Sequence, residues 1–277
     1  MPELDRRRVL GGGAALAVAA TGSFETSMLW AAPRTSAKEM PMPGVQALFF
    51  DVFGTLVDWR TGAAREVEAI LKPLGIKLDW YDFSVAWRKQ YQPYMEEVRN
   101  GQKPYVKLDV IHRRMLDHIR PDFGLDKLDE ETVTKLTYVW HKLDAWKDVR
   151  PGLAGLRKRF FIASCSNGNT AIMADIARRN DFYWDAILGA EVARDFKYKP
   201  HVYLDSADAL NLKPENCMMV ACHSIDLEGA HAAGLKTAFI VRPGENGPTD
   251  RGEPEPTNIK VDVSVKSIVE LAKQLGT

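Results

Sequence analysis

Val45-Gln46-Ala47-Leu48-Phe49-Phe50-Asp51-Val52-Phe53-Gly54-Thr55 is the stretch from which the rest of the chain is read. An apolar run of strand length ends at an acid and opens into a glycine-containing loop, the pattern of a buried strand that presents a side chain at its carboxyl end. Further apolar runs at Phe160 to Ala163, Ala186 to Gly189, Met218 to Ala221 and Thr237 to Val241 alternate with helix-length segments at Thr170 to Arg179, Val202 to Ala209 and Asp226 to Ala233. Strand alternating with helix predicts an α/β fold: a Rossmann-like parallel sheet with right-handed crossovers and helices on both faces. A polar stretch rich in Gly and Pro, from Arg242 to Pro256, reads as a long surface loop, and Val261 to Val265 with a helix from Ile268 to Leu275 closes the domain.

From about Thr61 to Asp148 the strand signals vanish. Leu108, Ile111, Met115 and Ile119 fall on one helical face, as do Val133, Leu136 and Trp140, so an all-helical cap domain is inserted after the first strand. The expected division is a core domain at 44–60 and 149–277, a helical cap at 61–148, and a leader with linker at 1–40. Pro151-Gly152 is expected to punctuate the return to the sheet. Most of Trp80, Tyr81, Trp87, Tyr91, Tyr94, Trp140 and Trp146 are expected to pack inward, because helical stripes of large residues usually do.

At 277 residues and 45% hydrophobic composition the chain can bury a full core. Lys plus Arg and Asp plus Glu number 37 each, so no net field draws it toward nucleic acid. Arg6-Arg7-Arg8 followed by Gly11 to Ala20 resembles a twin-arginine export signal, with Val18-Ala19-Ala20 or Ala31-Ala32 at the cleavage point. The apolar run is too short to span a bilayer, so a periplasmic protein without stable membrane insertion is expected. Cys165, Cys217 and Cys222 cannot form a disulfide framework, and Cys165 and Cys217, in or beside apolar runs, read as buried free thiols.

Ligands of open parallel sheets bind beyond the carboxyl ends of the strands. Reactive residues stand there: Asp51 and Thr55 after the first strand, Ser166-Asn167-Gly168 after the second, His223 to Asp226 after the fourth. In order, Asp51-Val52-Phe53-Gly54-Thr55-Leu56, Ser166-Asn167-Gly168, the lysines of Lys197 to Pro200, and Asp226 resemble the four motifs of the haloacid dehalogenase superfamily, across nearly all of residues 45 to 277. Phosphatases of that superfamily carry a second Asp two residues after the nucleophile, to protonate the leaving group. Phe53 stands there instead, and the loop resembles the type II, or L-2-haloacid, dehalogenases.

That resemblance implies the roles that follow. Asp51 attacks the halogen-bearing carbon and carries it as an ester, which water later cleaves. Thr55 and Ser166 hold the nucleophile and the substrate carboxylate through their hydroxyls, unless they merely form turns. Arg88 reaches in from the cap and, with Asn167, cradles the halide beside Phe53. Lys197 keeps Asp51 ionised, its register set by Tyr203 six residues on, itself a candidate substrate-binding residue, although Lys199-Pro200 offers a rival placement. His223 stands where the best-known dehalogenases have an asparagine; it either positions or deprotonates the hydrolytic water with Asp226, or replaces the amide as a hydrogen-bonding group. His112, His118, His141, His201 and His231 show no ligand spacing.

No cofactor is implied, and no metal: the fourth motif offers one acid and Phe53 none, whereas magnesium takes several oxygen ligands. The reading is an (S)-2-haloacid dehalogenase acting on a small-molecule haloacid, as a possible homodimer by analogy with the family. A phosphatase or phosphonatase of the same superfamily is the first alternative, and a non-catalytic exported binding protein for small carboxylates is another.

Overall fold

The computed structural model describes residues 42–277. The arginine- and alanine-rich segment read as an export signal, and with it the periplasmic assignment, lies outside the described residues.

The sheet is formed by β1 (Ala47–Phe50), β2 (Phe161–Ser166), β3 (Ala186–Gly189), β4 (Cys217–Ala221), β5 (Lys236–Ile240) and β6 (Val263–Val265). All neighbours are parallel, in the order β3-β2-β1-β4-β5-β6, so β1 lies inside the sheet between β2 and β4. Its four residues are inaccessible to solvent because both faces are covered. Leu48 and Phe50 point into one apolar cluster and Ala47 and Phe49 into the other, the period of two that a strand imposes. Each large side chain so buried stabilises the fold by about 2 kcal/mol before the entropy of ordering it is counted.

Between β1 and β2 the chain runs through α1 (Trp59–Leu71), α2 (Trp80–Lys89), α3 (Tyr91–Arg99), α4 (Leu108–Ile119), α5 (Glu130–Thr137) and α6 (Val149–Leu156). The remaining helices are α7 (Thr170–Arg179), the single turn α8 (Ala190–Ala193), α9 (Pro200–Asp208), α10 (Ser224–Ala232) and α11 (Ile268–Gln274). Local chemistry sets the helix starts: Asp58 and Asp79 carboxylates accept from Thr61 N and from Tyr81 N and Asp82 N at 2.9 to 3.0 Å, capping α1 and α2. Leu108, Ile111, Met115 and Ile119 form the buried stripe of α4. No described helix is long and apolar enough to cross a membrane.

Two expectations fail here. Pro151 and Gly152 do not break the chain but lie inside α6. A proline in the first helical turn gives up an N–H that has no partner there anyway, and Gly152 lets α6 lie against α11, since a Cβ would stand 2.4 Å from Ile268 Cγ2. The stretch after β5 is not wholly a surface loop: Arg242 and Glu245 are buried. Arg242 donates from Nε to Thr55 O at 2.7 Å and pairs both terminal nitrogens with Asp148 at 2.9 and 3.0 Å, drawing the loop inward over the end of β1.

The aromatic-rich insertion packs mostly upon itself. Trp87 and Trp140 are fully buried and meet edge to face with ring centroids 5.4 Å apart, whereas Tyr81 is exposed. His112 stacks on Trp140 at 4.8 Å with neither ring nitrogen hydrogen-bonded, and burial depresses its pKa to about 3, so it is a neutral core residue.

Candidate active site

Asp51 follows β1 directly, its N–H still donating to Val220 O of β4 at 3.0 Å, so the sheet fixes where the carboxylate begins. Gly54, at φ +89°, then turns the chain so that Thr55 Oγ1 reaches back to donate to Asp51 Oδ2 at 2.7 Å. Lys197, in the segment before α9, places Nζ 2.8 Å from Asp51 Oδ1 and 2.5 Å from Asp226 Oδ2. The Tyr203 hydroxyl donates to Asp226 Oδ1 at 2.7 Å. These four side chains are almost completely buried, so the ion pairs act in a medium of low polarity.

Two carboxylates share one ammonium, and their titrations are linked. Burial alone would raise the pKa of Asp51, but Lys197 and then His223 outweigh it and hold the carboxyl well below its ordinary range. Burial and the neighbouring Asp51 charge leave Asp226 above its ordinary value despite Lys197. Burial opposes the charge on Lys197, yet Asp226 and Asp51 keep its pKa well above the usual value, so the amine stays protonated.

On the other side of Asp51, His223 Nδ1 lies 3.2 Å from Oδ2 and Nε2 lies 3.1 Å from Glu245 Oε1. A carboxylate only accepts, so both contacts are hydrogen bonds when both ring nitrogens carry hydrogen. Burial disfavours that charge, but Cys222, Asp51 and Glu245 around the ring raise its pKa well above the ordinary value. Glu245 is held in turn by the Trp59 indole at 3.0 Å. Its carboxylate lies beneath Gly54, where a Cβ would stand 2.1 Å from Oε1.

A cavity of about 190 Å³ opens onto this arrangement, lined by Asp51, Phe53, Arg88, Asn167, Lys197, His223 and Asp226 among others. Asn167 Oδ1 accepts the Lys197 backbone N–H at 2.8 Å. The Arg88 guanidinium sits 3.8 Å from the Tyr91 ring centroid and 5.6 Å from those of Phe53 and Trp59, with Nη1 buried and unpartnered. Gln92, Tyr198 and Ile225 line the cavity as well and continue into an outer groove of about 570 Å³.

A family model of haloacid dehalogenase-like hydrolases matches residues 45–234. The chain belongs to this family. The hydrolase is similar in structure to the defluorinating L-2-haloacid dehalogenase Rha0230, at TM-score 0.82 and 39% identity over 85% of this chain and 98% of that one. The L-2-haloacid dehalogenase PA0810 superposes at TM-score 0.78 with 40% identity over 83% and 98%. In sequence this chain is 28% identical to haloacetate dehalogenase H-2 of Moraxella sp. (strain B), over 73% of its own length and 88% of that enzyme.

Of the residues singled out from the sequence, Asp51, Phe53, Arg88, Asn167, Lys197, His223 and Asp226 converge on the cavity of this hydrolase. Lys199 instead precedes α9, half-buried in the outer groove. Thr55 contacts Asp51 and Cys222 from behind the cavity. Two expectations need correction. Tyr203, read as a substrate-binding residue, is fully buried behind Asp226 and supports that carboxylate from its far side. Ser166 is buried and accepts the Gly168 N–H at 3.1 Å, the turn-forming alternative, because the chain must reverse at once to enter α7. Sequence reading missed Glu245, Trp59 and Glu253. The rule that reactive groups gather at strand ends was available for Glu245, five residues beyond β5, but the polarity of the loop hid it.

All three cysteines are buried free thiols, with burial pushing Cys165 and Cys217 up to about 12 and Cys222 to about 11. Among the described residues, Cys222, His223 and Glu245 are the one group whose metal-ligand atoms gather within 4.8 Å. They are hydrogen-bonded to one another, and a magnesium ion would find a single carboxylate among them.

Proposed function

We propose that this hydrolase cleaves the carbon–halogen bond of a short (S)-2-haloalkanoate, giving the 2-hydroxy acid and halide through a covalent ester on Asp51. The observation that carries the reading is an ionised, buried Asp51 lining a cavity with Phe53 two residues on, where a phosphatase would need its proton donor. Halide leaves as a stable anion and needs no acid. The relatives named above, haloacetate and L-2-haloacid dehalogenases, support the substrate class. A cavity of about 190 Å³ suits a molecule of a few heavy atoms.

In this reading one oxygen of Asp51 forms a bond to the halogen-bearing carbon as the carbon–halogen bond breaks. Lys197 keeps the attacking carboxylate ionised. Arg88, with Nη1 unspent, and Asn167 line the same cavity and receive the developing negative charge. Phosphatase chemistry fits less well, because Lys197 and Tyr203 already occupy both oxygens of Asp226 and Lys197 one of Asp51. A protein evolved only to hold a carboxylate would gain nothing from an ionised Asp51 facing its anionic ligand.

The test is halide release from (S)-2-chloropropionate by the full-length protein in the presence of EDTA. Turnover of the (S) enantiomer without added metal is expected. Magnesium-dependent hydrolysis of p-nitrophenyl phosphate with no halide release from any haloacid would contradict the reading.

A further inference from the structure

We propose that Glu245 is a positioning residue for the second half of this reaction: it keeps the His223 ring turned with Nδ1 toward the Asp51 carboxyl group, so that the ring takes the proton of the hydrolytic water. The proposal rests on the aspartyl-ester reading above. Its geometry is a line of three side chains, Asp51 Oδ2 to His223 Nδ1 at 3.2 Å and His223 Nε2 to Glu245 Oε1 at 3.1 Å, with the Trp59 indole fixing the far carboxylate at 3.0 Å. Arg242, tied to Asp148 and Thr55 O, anchors the loop from which Glu245 projects, and Gly54 leaves the room that its carboxylate fills.

The other buried groups in the cavity that could serve as the base are committed. Asp226 is 1% exposed, with one oxygen held by Tyr203 and the other by Lys197, and the Lys197 ammonium has no lone pair to offer. His223 lines the cavity together with Asp51, so its edge borders the space in which water must approach the ester carbon. The ionisable groups around the ring are Asp51 from the end of β1, Arg88 and Tyr91 from the cap, Lys197 and Tyr198 before α9, Cys222 next to His223, Asp226 on α10, and Glu245 and Glu253 from the loop after β5.

While Asp51 is a carboxylate, the ring is an imidazolium held between two anions. Ester formation consumes the Asp51 charge, and the ring then faces one carboxylate and releases its Nδ1 proton to solvent, retaining the Nε2 hydrogen on Glu245. Water bonds to the Asp51 carboxyl carbon as its proton passes to Nδ1. The bond from that carbon to the ester oxygen breaks, the electron pair stays on the product oxygen, and Nδ1 returns the proton to it. The carboxylic proton left on Asp51 restores the imidazolium. One water is consumed, and one proton and one halide are released.

The experiment is rapid quench of the full chain with (S)-2-chloropropionate, reading halide, the mass of the Asp51 peptide and the pH profile of kcat. For Glu245→Gln we expect a halide burst of about one per active site, followed by turnover slowed about 100-fold with ester accumulating on Asp51. The acid limb of its kcat profile moves to lower pH, because one anion that favours the protonated ring is gone. His223→Asn gives the same defect, and the double variant is no slower than His223→Asn alone. Glu245→Asp recovers part of the loss. Trp59→Phe, which keeps an aromatic ring but removes the indole donor, leaves both Glu245 and His223 in place and is expected to slow ester decay several-fold. Ester decay within about 3-fold of the parent in Glu245→Gln, or defects that multiply in the double variant, would overturn the proposal alone. Absence of an Asp51 ester in the parent protein would overturn the reading beneath it as well.

Discussion

The two oxygens of Asp51 face surroundings built on different principles. Oδ1 meets Lys197, which is shared with Asp226 and backed by Tyr203, all of them 6% exposed or less. Oδ2 meets Thr55 and a histidine ring whose side chain is 19% exposed, with Glu245 beyond it. On the first side every charge has a fixed buried partner, so removing a group leaves another uncompensated and the cost falls on folding as well as chemistry. On the second side the ring's charge depends on whether its two anionic neighbours are ionised, so changes register in pH dependence and in the rate of one step. One side holds the nucleophile and the other responds to it.

The largest effect is expected where the two sides meet. Asp51→Asn, checked by mass spectrometry for deamidation, loses halide release by about 10⁴-fold or more while thermal unfolding remains cooperative. Lys197→Met tests the first side: it leaves two buried carboxylates without their cation and lowers stability by about 3–5 kcal/mol in urea titrations. Lys199→Met, two residues on, is expected to change neither stability nor turnover by more than about 0.5 kcal/mol.

Gly54→Ala bears on the second side, forcing an alanine into φ +89° with its Cβ in the Glu245 carboxylate. Stability falls by about 1–3 kcal/mol, and ester decay slows in parallel with Glu245→Gln. The smallest effect is in the pH dependence of stability. His223 has its pKa raised on folding, so its ion pairs stabilise the protein fully below its unfolded value of about 6.5 and are lost as pH rises through the folded value. The stability gap between the parent and His223→Asn, measured as urea midpoints, is therefore widest in mild acid and narrows in alkali. Asp51 runs the other way: its depressed pKa stabilises above about pH 4 and is lost as pH falls below that.

The same contrast decided what could be read in advance. β1, β3 and α7 were legible because a sheet covered on both faces demands short apolar runs separated by helix-length segments, and Asp51, Lys197 and Asp226 because chemistry at the ends of parallel strands has few places to stand. Glu245 was hidden by composition: most of Arg242 to Pro256 does face water, and its polarity gives no sign that Arg242 turns inward to Asp148 and Glu245 to His223. Tyr203 was correctly placed near the lysine by its spacing, but a sequence interval does not say on which side of Asp226 the hydroxyl arrives. Pro151 was read as a break because a proline signals an interruption only when its place in the helical turn is known.

Covalent attack by Asp51 is decided by a single turnover in ¹⁸O-labelled water, with enzyme in excess over (S)-2-chloropropionate. The label is expected in the carboxyl group of the peptide carrying Asp51, with none in the first 2-hydroxy acid released. Label in the hydroxyl group of that first product, with an unlabelled Asp51 peptide, would contradict covalent attack.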